Sequence, residues 1–266
     1  MPDDDDALVH VRQHVLGVTE ISLNRPAAMN ALSVEFMQAI GSAVRNVSRS
    51  SPSVIVVTST CDKAFGVGAD LKERARMTTS DLMDCRPQFR AAYRALLDLP
   101  CPVLVALHGF ALGGALEIAL TGDLIIADET TVVGLPEVRI GLIPGGGGSQ
   151  LLGRRTGWGP AADLIFTGRR VAADEALSLG IIDRLVPTGT DRESSLELAT
   201  NMAGASPNSL ALAKEALRAG WGRDIELGLD LEDDLWRRAA TSADRAEGIQ
   251  AFVQKRSPEW PSRRSP

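Results

Sequence analysis

Short apolar runs that alternate with amphipathic stretches constrain the fold of this 266-residue chain more than any other feature. The run at residues 103–107 consists of five apolar residues, and residues 53–58 are rich in β-branched side chains. Runs of this length, bounded by turn residues, are typical of strands. Strands are predicted at residues 9–12, 15–23, 53–58, 103–107, 124–127 and 131–134.

Helical spacing fills the segments between these runs. Ser33 is a predicted N-cap, because apolar side chains recur at helical intervals after it. Further helices are predicted at residues 79–99 and 115–121. Strands that alternate with helices indicate an α/β core built from stacked β-α units.

The second half of the chain has a different pattern. From Ser149 onward it is almost wholly helical, with one predicted strand at residues 183–186. An amphipathic stretch at residues 207–255 carries apolar side chains that have to be buried somewhere, among them Leu227, Leu231, Leu235 and Trp236. We therefore expect a core over residues 1–205 and a helical region over residues 206–266 that mediates self-association.

Charge and hydropathy exclude several kinds of partner. The net charge is −6 and basic residues do not cluster with aromatic ones, so nucleic acid is not an expected partner. No apolar run approaches the ~20 residues of a membrane span, so no membrane is expected either. Three cysteines lack the spacing of a disulfide framework, and no secretory signal is visible. A cytoplasmic setting is expected, with the acidic residues 3–6 as a solvated tail.

Two glycine-rich segments point to the binding of a developing negative charge. Glycines in residues 64–71 let peptide N–H groups approach a ligand closely. In residues 108–117, glycines open a helix whose uncovered amides and dipole favour negative charge. A thioester enolate develops its charge on one carbonyl oxygen, and two convergent amide donors would stabilise that oxygen.

Other glycine-dependent chemistries do not fit this sequence. The G-x-G-x-x-G spacing of dinucleotide sites is absent from residues 108–117. Residues 145–148 are four glycines, but the lysine of a phosphate-binding loop does not follow, so we predict a tight loop that caps the next helix. Ser149 lacks the G-x-S-x-G context of a serine hydrolase. No spacing typical of metal ligands is present, and no metal is expected.

Seven segments together carry a resemblance to a known family. They are Leu-Asn-Arg-Pro at residues 23–26, Met-Asn-Ala-Leu at 29–32, the two glycine-rich segments, residues 134–138 and 141–150, and Ala-Phe-Val-Gln-Lys-Arg at 251–256. Each motif is weak alone, but together, in this order and spacing, the chain resembles the enoyl-coenzyme A hydratase/isomerase (crotonase) superfamily over nearly its whole length. The resemblance implies a spiral of stacked β-β-α units with C-terminal helices that join subunits in a homotrimer or dimer of trimers.

The resemblance also implies a site for an acyl-coenzyme A thioester. The amides of Ala69 and Gly114 would form the oxyanion hole, and Glu117 and Glu137 match the paired glutamates of hydratases. Contacts to the substrate are implied for Val67, Gly68, Asp70, Gly113, Phe252 and Lys255, the last two often from a neighbouring subunit. Coenzyme A is part of the substrate, so no separate cofactor is implied.

The two glutamates favour hydration of a 2-enoyl thioester, which needs a base to direct water to C3 and an acid to protonate C2. Glu117 lies in the first turn of a predicted helix, where the dipole favours a carboxylate that orients or deprotonates water. Glu137 follows Pro136 among apolar neighbours, and burial would raise its pKa so that it could deliver a proton. The reverse assignment and a concerted step both stay open.

Two alternatives stay open beside the hydratase. One is another crotonase reaction, such as double-bond isomerisation or dehydration of a hydroxyacyl thioester. The other is a non-catalytic acyl-coenzyme A binder, which would keep the glycines but not both glutamates. Val67, Ala115 and Leu116 depart from the family's usual residues, which puts the chain-length preference in doubt.

Overall fold

The computed structural model describes residues 7–263, and this part of the chain forms two β-sheets and eleven α-helices. The predicted acidic tail at residues 3–6 lies outside it. The strands are β1 (Val9–Gln13), β2 (Val18–Leu23), β3 (Val54–Ser59), β4 (Ala64–Gly66), β5 (Val103–Leu107), β6 (Phe110–Leu112), β7 (Leu124–Asp128), β8 (Val132–Gly134), β9 (Arg170–Ala172) and β10 (Arg184–Val186).

The helices that cover the sheets are α1 (Val34–Arg49), α2 (Leu71–Arg74), α3 (Thr79–Leu97), α4 (Gly114–Leu120), α5 (Gly148–Thr156), α6 (Trp158–Thr167), α7 (Ala173–Ser178) and α8 (Asp191–Ala203). Three more follow: α9 (Pro207–Gly220), α10 (Ile225–Ala240) and α11 (Ala243–Gln254). Short 3-10 turns lie at Val15–Gly17, Pro26–Ala28, Glu137–Ile140 and Pro261–Arg263. No helix in residues 7–263 is long and apolar enough to span a membrane.

Successive turns of the spiral divide their strands between two sheets. The larger sheet has the order β1-β2-β3-β5-β7-β10, and the smaller sheet has the order β4-β6-β8-β9. Consecutive pairs β3 and β4, β5 and β6, and β7 and β8 therefore divide between the two layers. All pairings are parallel except β1 with β2 and β8 with β9. The predicted α/β spiral of stacked β-β-α units is confirmed.

Amphipathic helices bury the two faces of the larger sheet. Helix α1 begins after Ser33, whose side chain accepts a hydrogen bond from the Phe36 amide at 3.2 Å, as its predicted N-cap role requires. The apolar face of α1, with Phe36, Met37 and Ile40, packs into the main core against the sheet and α3. Ala199 and Ala203 of α8 cover the opposite face.

Several boundaries differ from the prediction. The sequence suggested one strand after Ser149, but β9 is a second one, and β4 and β6 were not predicted at all. These strands have three residues each, which is too short for a period of two to show. Residues 15–17 form a 3-10 turn instead of the start of β2. The stretch at 207–255 is helical, as predicted, and consists of three helices, α9 to α11.

Candidate active site

The two predicted oxyanion amides lie at a close approach of two chain segments. A parallel bridge joins Leu32 to Ala69, in which the Leu32 amide donates to the Gly68 carbonyl at 2.7 Å and the Asp70 amide donates to the Leu32 carbonyl at 3.2 Å. Because amides alternate in direction along an extended chain, the Ala69 amide points away from Leu32. The Gly114 amide is one of the uncovered N–H groups at the start of α4.

Glycine is required where these two segments meet. Gly68 has φ +84° and Gly113 has φ +53°, values that a side chain strongly disfavours. A Cβ on Gly68 would lie 3.4 Å from the Gly114 nitrogen and 3.0 Å from the Leu112 carbonyl oxygen. The fold therefore brings Gly68, Ala69, Gly113 and Gly114 together, and their role as an oxyanion hole stays a prediction.

Glu117 is buried on α4 with its carboxylate held by the next glycine loop. Its Oε1 accepts hydrogen bonds from the amides of Gly146 at 2.6 Å and Gly148 at 2.8 Å. Burial nevertheless raises the pKa of Glu117, while these amides and the charge of Arg86 act against the rise. Gly147 is the N-cap of α5, so the predicted capping role of this loop is confirmed, but its function as an anion cradle was not foreseen.

Glu137 lies in a less constrained environment. It opens the 3-10 turn Glu137–Ile140 and is half-buried. Burial raises its pKa to about 7, and the charge of Glu117 adds to the rise. Its Oε2 is buried without a hydrogen-bond partner among the residues that the structure describes. Sequence reasoning expected burial to raise the pKa of Glu137, and the structure confirms it.

Both carboxylates face the glycine turn that opens α4. A Cβ placed on Gly113 would lie 3.0 Å from Oε1 of Glu137, and one placed on Gly114 would lie 3.9 Å from Oε2 of Glu117. The two acids thus approach adjacent residues of the same turn. This arrangement can present a proton acceptor, a proton donor and amide donors to one small group of substrate atoms.

Tyr93 is a buried neighbour of this turn that sequence reasoning did not find. Its hydroxyl donates a hydrogen bond to the Gly114 carbonyl at 3.1 Å, and its ring fills the space where a side chain on Gly146 would stand. Burial raises the pKa of Tyr93 well above its usual value, and the charges of Glu117 and Glu137 raise it further. Tyr93 is the only tyrosine of the chain, but nothing in its helical spacing distinguishes it from a core residue.

Two other residues with predicted substrate contacts, Val67 and Asp70, lie on the segment around Ala69. Val67 is half-buried beside the oxyanion turn. The carboxylate of Asp70 caps α2 through the amides of Lys72 and Glu73 and pairs with Arg25 at 2.8 Å. These bonds occupy its oxygens, so a side-chain contact with substrate would have to compete with them.

Phe252 and Lys255 lie apart from this cluster within the chain. Both are exposed at the end of α11, which packs against α10 and the turn Pro261–Arg263. Their predicted approach to coenzyme A from a neighbouring subunit stays a prediction. Within residues 7–263, no group of three or more His, Cys, Asp or Glu side chains is arranged to hold a metal ion.

Comparison with known proteins identifies the family. The model of the enoyl-CoA hydratase/isomerase family matches residues 14–263. The chain belongs to this family. It is 37% identical over 260 residues to 2,3-dehydroadipyl-CoA hydratase of Escherichia coli, a match that covers 97% of this chain and 99% of the relative. It is also 32% identical over 263 residues to the mitochondrial methylglutaconyl-CoA hydratase of Mus musculus, which covers 97% and 84% of the two chains.

A solved structure agrees with this assignment to the enoyl-CoA hydratase/isomerase family. The enoyl-CoA hydratase of Bacillus anthracis superposes with a TM-score of 0.92 at 36% identity, covering 96% of this chain and 99% of that one. The predicted family, the crotonase fold and the assignment as an enzyme of hydratase type are thereby confirmed.

Proposed function

We propose that this enzyme adds water across the 2,3 double bond of a 2-enoyl-coenzyme A thioester by means of Glu117, Glu137 and the amides of Ala69 and Gly114. The supporting observation is that two acids in unlike environments flank the glycine turn that carries one of the amides. Hydration needs this combination, since one group accepts a proton from water while another supplies a proton to carbon.

Glu117 acts on water in this proposal. Its Oε1 is fixed by two amides, which leaves Oε2 to accept a proton from a water molecule. As the O–H bond breaks, the water oxygen bonds to C3, and the π electrons of the double bond move toward the thioester oxygen. The amides of Ala69 and Gly114 stabilise the enolate charge on that oxygen.

Glu137 completes the addition. With a pKa of about 7, a large share of Glu137 is protonated near neutral pH, so it can donate its proton to C2 while the thioester carbonyl re-forms. The product is a 3-hydroxyacyl thioester. At that stage Glu117 holds the proton taken from water and Glu137 has lost one, and exchange with solvent restores both.

The test is turnover of 2-enoyl thioesters of several chain lengths, with calorimetric affinity for the saturated analogues as the parallel measurement. We expect hydration of at least one chain length. A protein that binds the saturated analogues tightly but hydrates none of the enoyl thioesters would be a non-catalytic binder. Loss of isomerisation in Glu137→Gln alone, with Glu117→Gln harmless, would instead assign an isomerase.

We further propose that the enzyme works in the cytoplasm as a homotrimer or a dimer of trimers joined by its C-terminal helices. The support is the exposed apolar surface of α9 to α11, where Leu217, Ile225 and Trp236 are each about two-thirds exposed or more (71%, 70% and 66%). Such surfaces mark interaction sites in soluble proteins. Sedimentation at micromolar concentration should give a trimer or hexamer, and a strictly monomeric profile would contradict the proposal.

A further inference from the structure

Two arginines, Arg86 of α3 and Arg74 of α2, lie beside the face of α3 that carries Tyr93. Arg86, Phe89 and Tyr93 follow one another at positions i, i+3 and i+7, which lie on one side of a helix. The Arg86 guanidinium donates to the Gly145 carbonyl, and Tyr93 packs against the neighbouring Gly146. Arg74, at the end of α2, lies with its guanidinium 4.6 Å from the centre of the Phe89 ring.

Neither Arg74 nor Arg86 forms a salt bridge within residues 7–263, although the charge of Arg86 acts on Glu117. Arg74 donates from Nη1 to the Cys85 sulfur at 3.6 Å, a weak bond, and its Nε is buried without a partner among residues 7–263. Arg74 is half-buried, whereas Arg86 is exposed. A half-buried guanidinium without a carboxylate is costly, and its buried unsatisfied nitrogen needs an explanation, which a bound ligand would supply.

Both charges act on Tyr93. The positive charges of Arg86 and Arg74 lower the pKa of Tyr93, against the dominant effect of burial and the effect of the two glutamates. The Tyr93 hydroxyl in turn contacts the carbonyl of Gly114, whose own amide is a proposed oxyanion donor.

We propose that Arg74 and Arg86 bind a carboxylate at the far end of the acyl chain, so that the preferred substrate is a short 2-enoyl thioester of a dicarboxylic acid. The proposal rests on the hydratase function proposed above and specifies its substrate class. Arginine suits this role because its planar fork can donate two hydrogen bonds to one carboxylate.

For an acyl chain that runs along α3 from Tyr93 toward Arg86, helix geometry sets the length of the chain. Phe89, under Arg74, is four residues before Tyr93, and Arg86 is seven residues before it, which corresponds to about 6 and 10 Å along the axis of α3. An extended chain advances about 1.2 Å per bond. The carboxylate should therefore be about five to eight bonds from the thioester carbon, as in acyl groups of six to nine carbons.

The test compares two substrates that differ only at the acyl terminus. They are the six-carbon 2-enoyl thioester with a methyl end and the one with a carboxylate end, with an eight-carbon pair as a second length. We expect the wild-type kcat/KM to favour the carboxylate by about tenfold or more. Arg74→Met should abolish this preference by lowering kcat/KM for the carboxylate substrate, while kcat/KM for the methyl substrate stays unchanged. Arg76→Met is the matched control, since Arg76 is an exposed arginine two residues further along.

Arg86→Gln is a second variant, but it is less specific because the charge of Arg86 also acts on Glu117. It should lower kcat/KM more for the carboxylate substrate than for the methyl substrate. If Arg74→Met lowers kcat/KM equally for both substrates, Arg74 contacts the coenzyme A portion or stabilises the fold, and the proposal is wrong. The same holds if wild-type protein shows no preference for the carboxylate at either length.

Calorimetry separates this proposal from the hydratase function. Saturated six-carbon thioesters with and without the terminal carboxylate are titrated into wild-type protein and Arg74→Met. Tighter, Arg74-dependent binding of the carboxylate form without any hydration would support the binding site and reject the hydratase. Efficient hydration of the methyl substrate with no carboxylate preference in binding would do the opposite.

Discussion

The two glutamates of the active site differ in how the fold holds them. Glu117 is 3% exposed on α4, and two amides of the Gly145–Gly148 loop fix one of its oxygens. Glu137 lies on a 3-10 turn, one of its oxygens is buried without a hydrogen-bond partner in the part of the chain that the structure describes, and its pKa is raised to about 7. A group whose direction is fixed suits the orientation of water, while a group with a pKa near neutrality suits proton delivery.

The comparison predicts that both acids are needed but for different reasons. Glu117→Gln and Glu137→Gln should each lower hydration of a short 2-enoyl thioester by ~10²-fold or more, the usual scale of acid–base catalysis. The double variant should lose much less than the product of the two, since residues that act as a unit are not additive. Steady-state turnover measures all three.

Affinity for the saturated thioester serves as the control for these variants. Neither carboxylate is proposed to bind the coenzyme A portion. The calorimetric affinity for the saturated thioester should therefore be unchanged in all three variants. If one of the single variants keeps full hydration activity, the acid that it replaces is not part of the reaction, and the paired roles are wrong.

Two glycine variants test how the fold positions the glutamates. The first, Gly148→Ala, should displace the carboxylate of Glu117 but not that of Glu137. A Cβ on Gly148 would lie 3.0 Å from Oε1 of Glu117 and equally close to Leu135 and Pro144. Gly148→Ala should therefore shift the carboxylate and lower kcat about tenfold or more, because small displacements of catalytic groups are expensive. Overpacking should also cost about 1–3 kcal/mol of stability.

Gly168→Ala is the control with a similar stability cost. Gly168 has φ +61°, so alanine there costs about 1–2 kcal/mol. Its Cβ would press on the flexible Arg139 side chain and lie 3.3 Å from the Pro136 Cα, next to Glu137. We expect less than about a threefold loss of kcat, because Glu137 is held by its own turn. Equal losses in the two variants would show that general destabilisation, not the Glu117 cradle, controls activity.

The environment of Glu137 could be predicted from the sequence more fully than that of Glu117. Pro136 and apolar neighbours were enough to predict a buried acid with a raised pKa, because the cause is local. The cradle of Glu117 joins residues about thirty positions apart, Glu117 with Gly146 and Gly148. Its four glycines were read as a helix cap, which they are, but no local pattern says which acid they face.

The fold shows the same division between local and distant signals. Helix α1 and strands such as β3 and β5 could be predicted because their hydrophobic periodicity and capping residues lie within the same segment of the sequence. The strands β4, β6 and β9 have three residues each, and they exist because neighbouring turns of the spiral supply their partners. Tyr93 was missed for the same reason, since its importance comes from contacts with Gly114 and Gly146.

The pH dependence of turnover tests which glutamate is the acid. If protonated Glu137 delivers the proton, kcat/KM should fall as pH rises through about 7, because its acid form is lost there. Glu137→Gln should remove this limb from whatever activity remains. A rate that increases through pH 7 would reverse the two roles.

Stability checks the same pKa without substrate. A carboxyl whose pKa is 4.5 when unfolded and about 7 when folded binds more protons in the folded state between these values. Its contribution to the free energy of unfolding is present below pH 4.5 and is lost as pH rises through 7. Denaturation curves of Glu137→Gln should lack this loss, whereas Glu232→Gln, at an exposed acid of α10, should retain it.

The smallest expected effect concerns the hydroxyl of Tyr93, on which the charges of both acids act. Tyr93→Phe keeps the ring that fills the space beside Gly146, but it removes the hydroxyl beside Gly114 and its hydrogen bond to the Gly114 carbonyl. A neutral hydrogen bond is worth about 0.5–1.5 kcal/mol, so turnover should fall about two- to tenfold. Tyr93→Leu should lose more, because the glycine segments also lose their packing surface.

Coupling measurements place the hydroxyl relative to the two acids. Because the charges of both Glu117 and Glu137 act on Tyr93, combining Tyr93→Phe with either glutamine variant should give similar coupling energies in a double-mutant cycle. Coupling to Glu117 alone would assign the hydroxyl to the water-orienting half of the site. A loss of ~10²-fold in Tyr93→Phe, with unchanged affinity for the saturated thioester, would contradict a purely positional role. The hydroxyl would then be a third proton-transfer group, and the division of labour between two glutamates would be incomplete.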